Sequence, residues 1–265
     1  MHTPRGVLIL VLGLVTLISA TAASSVAGAA ERTLVVIEAR QWTIEPAGGV
    51  LLSGNGLVDT LDLDSDLGLE EDDALEGRVT FRPSAKTMIR ASFTPELALA
   101  GDNIVSRSIQ FLGQTFGVQS RVVTALDMEY GRLAFAWQGL SLAENRFRLG
   151  PIVEVKGFRG ELALGAPDLS PPISEREEFE AAFGTAGLIL DYELSDRLEL
   201  FGESTVTVTG DEGDLVDTEY GVRLVLVPAL TVVAGVRTFS VDIEDGTDRL
   251  DFELDGPFVG VSIRF

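Results

Sequence analysis

The chain ends Val259-Gly260-Val261-Ser262-Ile263-Arg264-Phe265. Successive side chains of a β-strand point to opposite faces, so Val259, Val261, Ile263 and Phe265 share one face, and Gly260, Ser262 and Arg264 take the other. Past residue 30 no apolar run is long enough for a transmembrane helix, so any membrane span must be made of strands closed into a barrel. Alternation alone does not say whether the apolar face points in, as in a soluble barrel, or out, as in a membrane barrel. A final strand that is apolar on one face and stops on an aromatic residue tips the reading towards lipid.

The same period of two recurs upstream. In Leu215 to Val227 one face carries Val216, Thr218, Tyr220, Val222, Leu224 and Leu226, and the other carries Asp217, Glu219, Gly221 and Arg223. Arg146 to Val155 and Leu75 to Arg82 alternate likewise. Further strands are expected over Leu34 to Glu45, Lys86 to Phe111, Phe116 to Gln138, Phe179 to Glu193, Arg197 to Thr209, Leu230 to Ile243 and Arg249 to Phe265. The fold class is therefore all-β: a transmembrane antiparallel up-and-down barrel of about ten strands. Eight is an alternative, and so is twelve if Val50 to Ser53 and Leu57 to Leu63 add a pair. In Phe116 to Gln138 the apolar set moves from Leu126, Met128 and Tyr130 to Leu133, Phe135 and Trp137, which predicts a bulge near Gly131, and a similar shift predicts one at Gly256-Pro257. Short turns at Pro83 to Ala85, Leu194 to Asp196 and Pro228-Ala229 read as periplasmic. Acidic or Pro-rich connections at Pro46 to Ala74, Gly165 to Glu178, Gly210 to Asp214 and Glu244 to Asp248 read as external.

Residues 1–30 read as a signal peptide: Arg5, an apolar run from Gly6 to Ala20, then small residues with Ala27 and Ala29 placed for cleavage. Residues 31–265 form the barrel domain, located in the outer membrane of a Gram-negative-type bacterium after cleavage. The chain has no cysteine, which excludes disulfides, thiol nucleophiles and lipidation at cysteine. Its formal charge is -21, and losing Arg5 leaves 19 basic against 41 acidic residues. Such a balance repels nucleic acid and attracts cations.

The ending VGVSIRF resembles the C-terminal signal by which the bacterial barrel-assembly machinery recognises outer-membrane barrels, with Val259, Val261, Ile263 and Phe265 in the signal positions. Four segments together, EARQW, LDLDSDLGLEEDDALEGRVTFRP, LGPIVEVKGFRG and LDGPFVGVSIRF, resemble a family of bacterial outer-membrane β-barrel proteins without an assigned activity. The resemblance implies fold, location, contact with outer-membrane lipid and recognition by the assembly machinery. It carries no catalytic residue.

The only histidine is His2, within the signal segment. Outer-membrane phospholipases, lipid A deacylases, acyltransferases and barrel proteases resemble one another in relying on histidine as base or relay, so no enzyme activity is expected. Glu199 and Glu203 share a strand face but lie roughly 13 Å apart at about 3.3 Å per residue, a spacing that reads as lumen charge. Asp62, Asp64 and Asp66 resemble the acidic spacing of a calcium loop, with Leu67 where Gly belongs. No cofactor is expected beyond Ca²⁺ or Mg²⁺ weakly bound there. Lumen-facing charges are expected at Glu76, Arg78, Arg90, Arg148, Glu154, Lys156, Glu199, Glu203, Asp217, Glu219, Arg223 and Arg237. They should pair, because an isolated buried charge costs several kcal/mol, and a ten-strand lumen should be mostly plugged. Trp42, Tyr130, Trp137, Tyr192 and Phe265 read as an interfacial girdle, with a sugar-binding platform as the alternative. Three functions remain: a structural or surface-interaction barrel with acidic external loops, a narrow cation-preferring channel, and a histidine-free enzyme.

Overall fold

The computed structural model describes the backbone of residues 34–54, 57–111, 114–143, 146–208, 213–245 and 248–265. Residues 1–33, which include the expected signal segment, and residues 209–212 and 246–247 lie outside the described residues. Ten long strands make the wall: β1 (Leu34–Gly54), β2 (Asp72–Arg82), β3 (Thr87–Ile104), β4 (Arg121–Trp137), β5 (Phe147–Ala166), β6 (Ile173–Ser195), β7 (Leu198–Thr207), β8 (Asp214–Val227), β9 (Leu230–Asp245) and β10 (Asp248–Arg264). Each pairs antiparallel with the next, and β10 closes on β1, with Val261 opposite Ala39 and Ile263 opposite Ile37. The seam is finished by Phe265 N–H, which donates to Val35 O at 2.9 Å. Both ends of the barrel domain therefore lie at one end of the barrel, with the short turns. The longer connections lie at the other, here the loop end.

Leu57–Asp62 does pair with the top of β1, Leu61 opposite Val50. It forms a hairpin on the rim rather than two more wall strands, so the wall has ten. A second small hairpin, Ile109–Phe111 with Gln114–Phe116, lies in the β3–β4 connection, and Leu140–Leu142 runs beside β5 at the terminal end. The expected loop at Gly165 to Glu178 is shorter than predicted: β6 already begins at Ile173. Its charged start, EREEFE, hid a strand whose upper part is not lipid-facing.

The two predicted bulges are absent. Pairing of β4 with β5 runs unbroken through Gly131 opposite Gly157, and β9 with β10 through Arg237 opposite Gly256. On the other side β10 keeps its register on β1, though the ladder is interrupted at Gly256-Pro257, between Trp42 opposite Phe258 and Glu45 opposite Asp255, where Gly256 has φ +153°. The one bulge on this stretch of wall is at Pro95-Glu96 in β3, between Thr94 opposite Tyr130 and Leu97 opposite Met128, where a proline costs no ladder bond.

The apolar set changes parity because its surroundings change while the backbone register does not. In β4, Val122, Thr124, Met128, Tyr130, Arg132, Ala134 and Ala136 all face inward. Towards the loop end the inward residues are apolar and the outward ones include Arg121, Asp127 and Glu129. Towards the terminal end Arg132 faces inward, and Leu133, Phe135 and Trp137 face outward. β5 repeats the exchange: Phe158, Leu162 and Leu164 are inward above, Glu154 and Lys156 inward below, Arg159 and Glu161 outward above, Val153 and Val155 outward below. One end of the barrel is thus built like a membrane protein and the other like a soluble one. Strand length agrees. The 21 residues of β1 span roughly 65–70 Å at about 3.3 Å per residue, which at a tilt of about 40° is twice the apolar band of ~25 Å. β7 has 10 residues and covers about one band height.

Candidate functional site

The inward surfaces of the ten strands stack into three layers. At the loop end a hydrophobic core fills the barrel, with Phe158 in ring contact with Phe183, Phe239 and Phe252, and Phe239 with Phe252, at 5.9–6.3 Å. The segment Leu61 to Glu70 closes over it as a lid. Leu61, Leu63, Leu67 and Leu69 are all buried against the core, while Asp62 and Asp64 face water. Alternating Leu and Asp thus puts a plug and its solvated back into one short segment. The lid is tied down by Leu69 bridging Gly101, by Asn103 Nδ2 donating to Ser65 O at 2.7 Å and by Arg107 paired with Asp66. Gly68 supplies a left-handed turn residue at φ +65°.

Asp62, Asp64 and Asp66 therefore do not form one metal site. The strand ends at Asp62 and the chain turns, so alternate positions no longer share a face. The Asp62 carboxylate accepts from Ser65 N–H at 2.7 Å and Ser65 Oγ at 2.9 Å, and the Ser65 N–H leads the effects that hold Asp62 below its ordinary carboxylate range. Asp66 turns inward to Arg107. No cluster of three or more such ligands is placed to hold a metal among the described residues.

Below the core lies a layer of buried charge. It holds the carboxylates Glu38, Glu76, Glu154, Glu203, Asp217 and Glu219 and the cations Arg40, Arg78, Arg90, Arg132, Lys156 and Arg237, six of each sign, so the layer is neutral. Glu219 accepts from Arg40 Nη1 at 2.9 Å, Arg78 Nη1 and Nη2 at 2.9 Å and Arg132 Nη2 at 3.0 Å. Asp217 accepts from Lys156 Nζ at 2.6 Å, Arg237 Nη2 at 2.9 Å and Tyr130 Oη at 3.2 Å. Arg90 pairs with Glu203 at 2.6 Å and Glu154 at 3.4 Å, and Arg40 pairs with Glu38. Strand register makes this possible. Glu38 and Arg40 are successive inward residues of β1 and stand opposite Arg78 and Glu76 of β2, so opposite signs alternate across the pair. Glu203 and Glu219 stand opposite each other on β7 and β8, and Arg132 from the far wall divides its guanidinium between them, at 3.2 and 3.0 Å.

Aromatic faces join core and charge: Arg237 lies 4.7 Å from the Trp42 ring and 5.0 Å from that of Tyr130, and Arg40 lies 4.4 Å from Phe258. Trp42 and Tyr130 are thus lumen residues, 4% exposed, and the girdle reading fails for both, because their inward parity places them under the core. Trp137, Tyr192 and Phe265 face outward.

Towards the terminal end a second ion cluster surrounds Asp191, which pairs with Arg223 at 3.0 Å, Arg82 at 3.5 Å and Arg148 at 3.7 Å. Glu199 joins Arg148 at 3.0 Å. It forms the wall of an open cup of about 230 Å³, floored by Arg40, Arg78 and Arg90. Glu199 and Glu203 belong to different clusters, Glu199 paired with Arg148 and Arg223 and Glu203 with Arg90 and Arg132. The expected lumen residues Arg78, Arg90, Arg148, Glu154, Lys156, Glu199, Glu203, Glu219, Arg223 and Arg237 all lie inside the barrel. The sequence reading missed Glu38, Arg40, Arg132 and Asp191. The Glu-x-Arg spacing shared by Glu38/Arg40 and Glu76/Arg78 is the signal that reveals the first two, and the supposed bulge at Gly131 concealed Arg132. Val259, Val261, Ile263 and Phe265 lie on the outer surface of β10, 46–71% exposed, in the apolar belt.

No family model matches the chain, and no curated protein matches it. Among solved structures it is similar to the outer membrane protease OmpT of Escherichia coli, with a TM-score of 0.57 at 11% identity over 91% of this chain and 99% of that one. Weaker similarity reaches the outer membrane protein OprG of Pseudomonas aeruginosa, TM-score 0.40 at 9% identity over 89% and 97% of the two chains. It also reaches Ail, the attachment invasion locus protein of Yersinia pestis, TM-score 0.36 at 8% identity over 88% and 97%. At these identities the likeness concerns architecture alone: the chain has the fold of bacterial outer-membrane β-barrels.

Proposed function

We propose that this protein is a non-enzymatic outer-membrane barrel with a structural or surface-interaction role, its terminal end in the periplasm and its acidic loop end outside the cell. The observation that carries this reading is the double closure of the lumen, by a neutral and mutually paired ion layer and, in series, by an apolar core under a lid. A channel needs a continuous wet path, and the acid excess that would make it cation-preferring lies outside the buried ion layer. Outer-membrane location draws on the apolar belt and on the C-terminal strand, which would engage the barrel-assembly machinery through Val259, Val261, Ile263 and Phe265. Membership of the outer-membrane family suggested by the four sequence segments is part of the same proposal. OmpT is a protease, but the only histidine here is His2, and Glu199 and Glu203 are each held in ion pairs. The acidic chain favours no nucleic-acid partner.

Planar-bilayer recording on the purified barrel tests the reading. Silent bilayers, with the protein still heat-modifiable on gels, are expected. Discrete conductance steps that shrink in Glu203→Gln would replace this reading with the narrow cation channel.

A further inference from the structure

β6 outgrows its neighbour. It pairs with β5 all the way from Tyr192 opposite Phe147 to Ile173 opposite Ala166, but with β7 only as far up as Thr185 opposite Thr207. The last link above that is Val208 N–H donating to Gly184 O at 3.1 Å. In an antiparallel ladder the N–H and C=O groups of one residue point the same way, and successive residues point to opposite neighbours. Because the Gly184 carbonyl points to β7, Ser174, Arg176, Glu178, Glu180 and Ala182 direct their backbone groups away from β5. There, no strand among the described residues meets them, and all five residues are exposed.

The gap has a physical cause. β7 and β8 are apolar outward to their upper ends, at Val206 and Val216, so the described strands Leu198–Thr207 and Asp214–Val227 end near the top of the apolar belt. The β5–β6 hairpin continues above it with Arg176, Glu178 and Glu180 outward. On the lumen side of the open edge Phe179 and Ala181 are only partly buried, packed on the core with Phe179 edge-on to Phe158 at 6.2 Å. Among the described residues the barrel rim thus has a notch, with an unpaired strand edge on one side and apolar surface behind it.

An unpaired edge is a template for another strand, and charge decides which one. Glu175, Glu177, Glu178 and Glu180 crowd this edge, while Arg176 is engaged by Glu161 at 3.0 Å. Pairing with the same edge of a second copy would set glutamates against glutamates. A strand alternating basic and small apolar residues would face the glutamates and fill the notch. We infer that the upper edge of β6 docks an extended, basic segment of an external protein partner by strand addition. This rests on the surface-interaction reading above and names its surface.

The test uses the full chain, matured in the outer membrane and purified in detergent, with a ten-residue peptide alternating Lys and Val as probe. Hydrogen exchange of the amides of residues 174, 176, 178, 180 and 182 should slow by about tenfold or more, and a Glu/Val peptide should give no protection. A Lys/Val peptide N-methylated at alternate backbone nitrogens should bind at least about tenfold more weakly, because strand addition relies on main-chain hydrogen bonds. Equal binding by the N-methylated peptide overturns the inference and leaves general attraction to an acidic surface. Protection appearing without peptide as protein concentration rises overturns it in favour of a second copy, and no protection at saturating peptide overturns it outright. Bilayer conductance is independent of all three outcomes, so this inference and the closed-lumen reading fail separately.

Discussion

Glu219 shows what holds the interior of this barrel together. Its carboxylate lies between Arg40, Arg78 and Arg132, three guanidinium groups that share one lumen only because carboxylates separate them. Removing one partner of a buried ion pair leaves the others uncompensated, at a cost of about 3–5 kcal/mol. Glu219→Gln should therefore lower stability by that order, read as a drop in the urea midpoint of the heat-modifiable band. Glu129→Gln breaks the pair with Arg159, which is 71% exposed, and should cost less than about 1 kcal/mol. Equal losses in the two variants would mean that the layer is wet and weakly coupled. At this scale the sequence was partly legible. Charges at alternate positions of an otherwise apolar strand, such as Glu154 and Lys156, can only be lumen residues if the other face meets lipid. Asp191 escaped because its neighbours Tyr192 and Glu193 blur the alternation at the strand end.

The lid shows how an element is specified. Leu61, Leu63, Leu67 and Leu69 bury themselves, Asp62 caps the turn through Ser65, and Gly101 of β3 lets the lid backbone approach. A Cβ at Gly101 would lie 2.3 Å from Leu67 O and 2.7 Å from Gly68 O, so Gly101→Leu should lift the lid without touching the wall. The expected result is new protease cleavage between Leu61 and Arg107 in a barrel that remains heat-modifiable. Bilayers should stay silent, because the ion layer below still closes the lumen. Conductance appearing in this variant would show that the lid is the only seal. The Leu/Asp alternation of this segment was visible in the sequence, but its turn was not: the Asp62–Ser65 cap depends on the chain leaving the rim hairpin at that point.

The whole molecule is divided at one level into a half made for lipid and a half made for water. Because the chain has no cysteine, single cysteines report that division directly. Cysteine replacing Phe135, Val155 or Val261 should resist a water-soluble maleimide in native membranes, whereas cysteine replacing Glu129, Arg159 or Glu180 should react. Uniform labelling would mean that the outward apolar residues do not meet lipid. The sequence by itself determined the all-β class, the alternation within most wall strands and the final apolar strand that closes the barrel, because a period of two is a property of each strand alone; it left the count open between eight, ten and twelve. Tertiary structure decided which face is inward at each height, which charges meet, and where the wall is left open beside β6. A parity change within one strand looks the same whether the backbone bulges or the strand passes from water into lipid. Only unbroken register with the neighbouring strands, as at Gly131 opposite Gly157, separates the two.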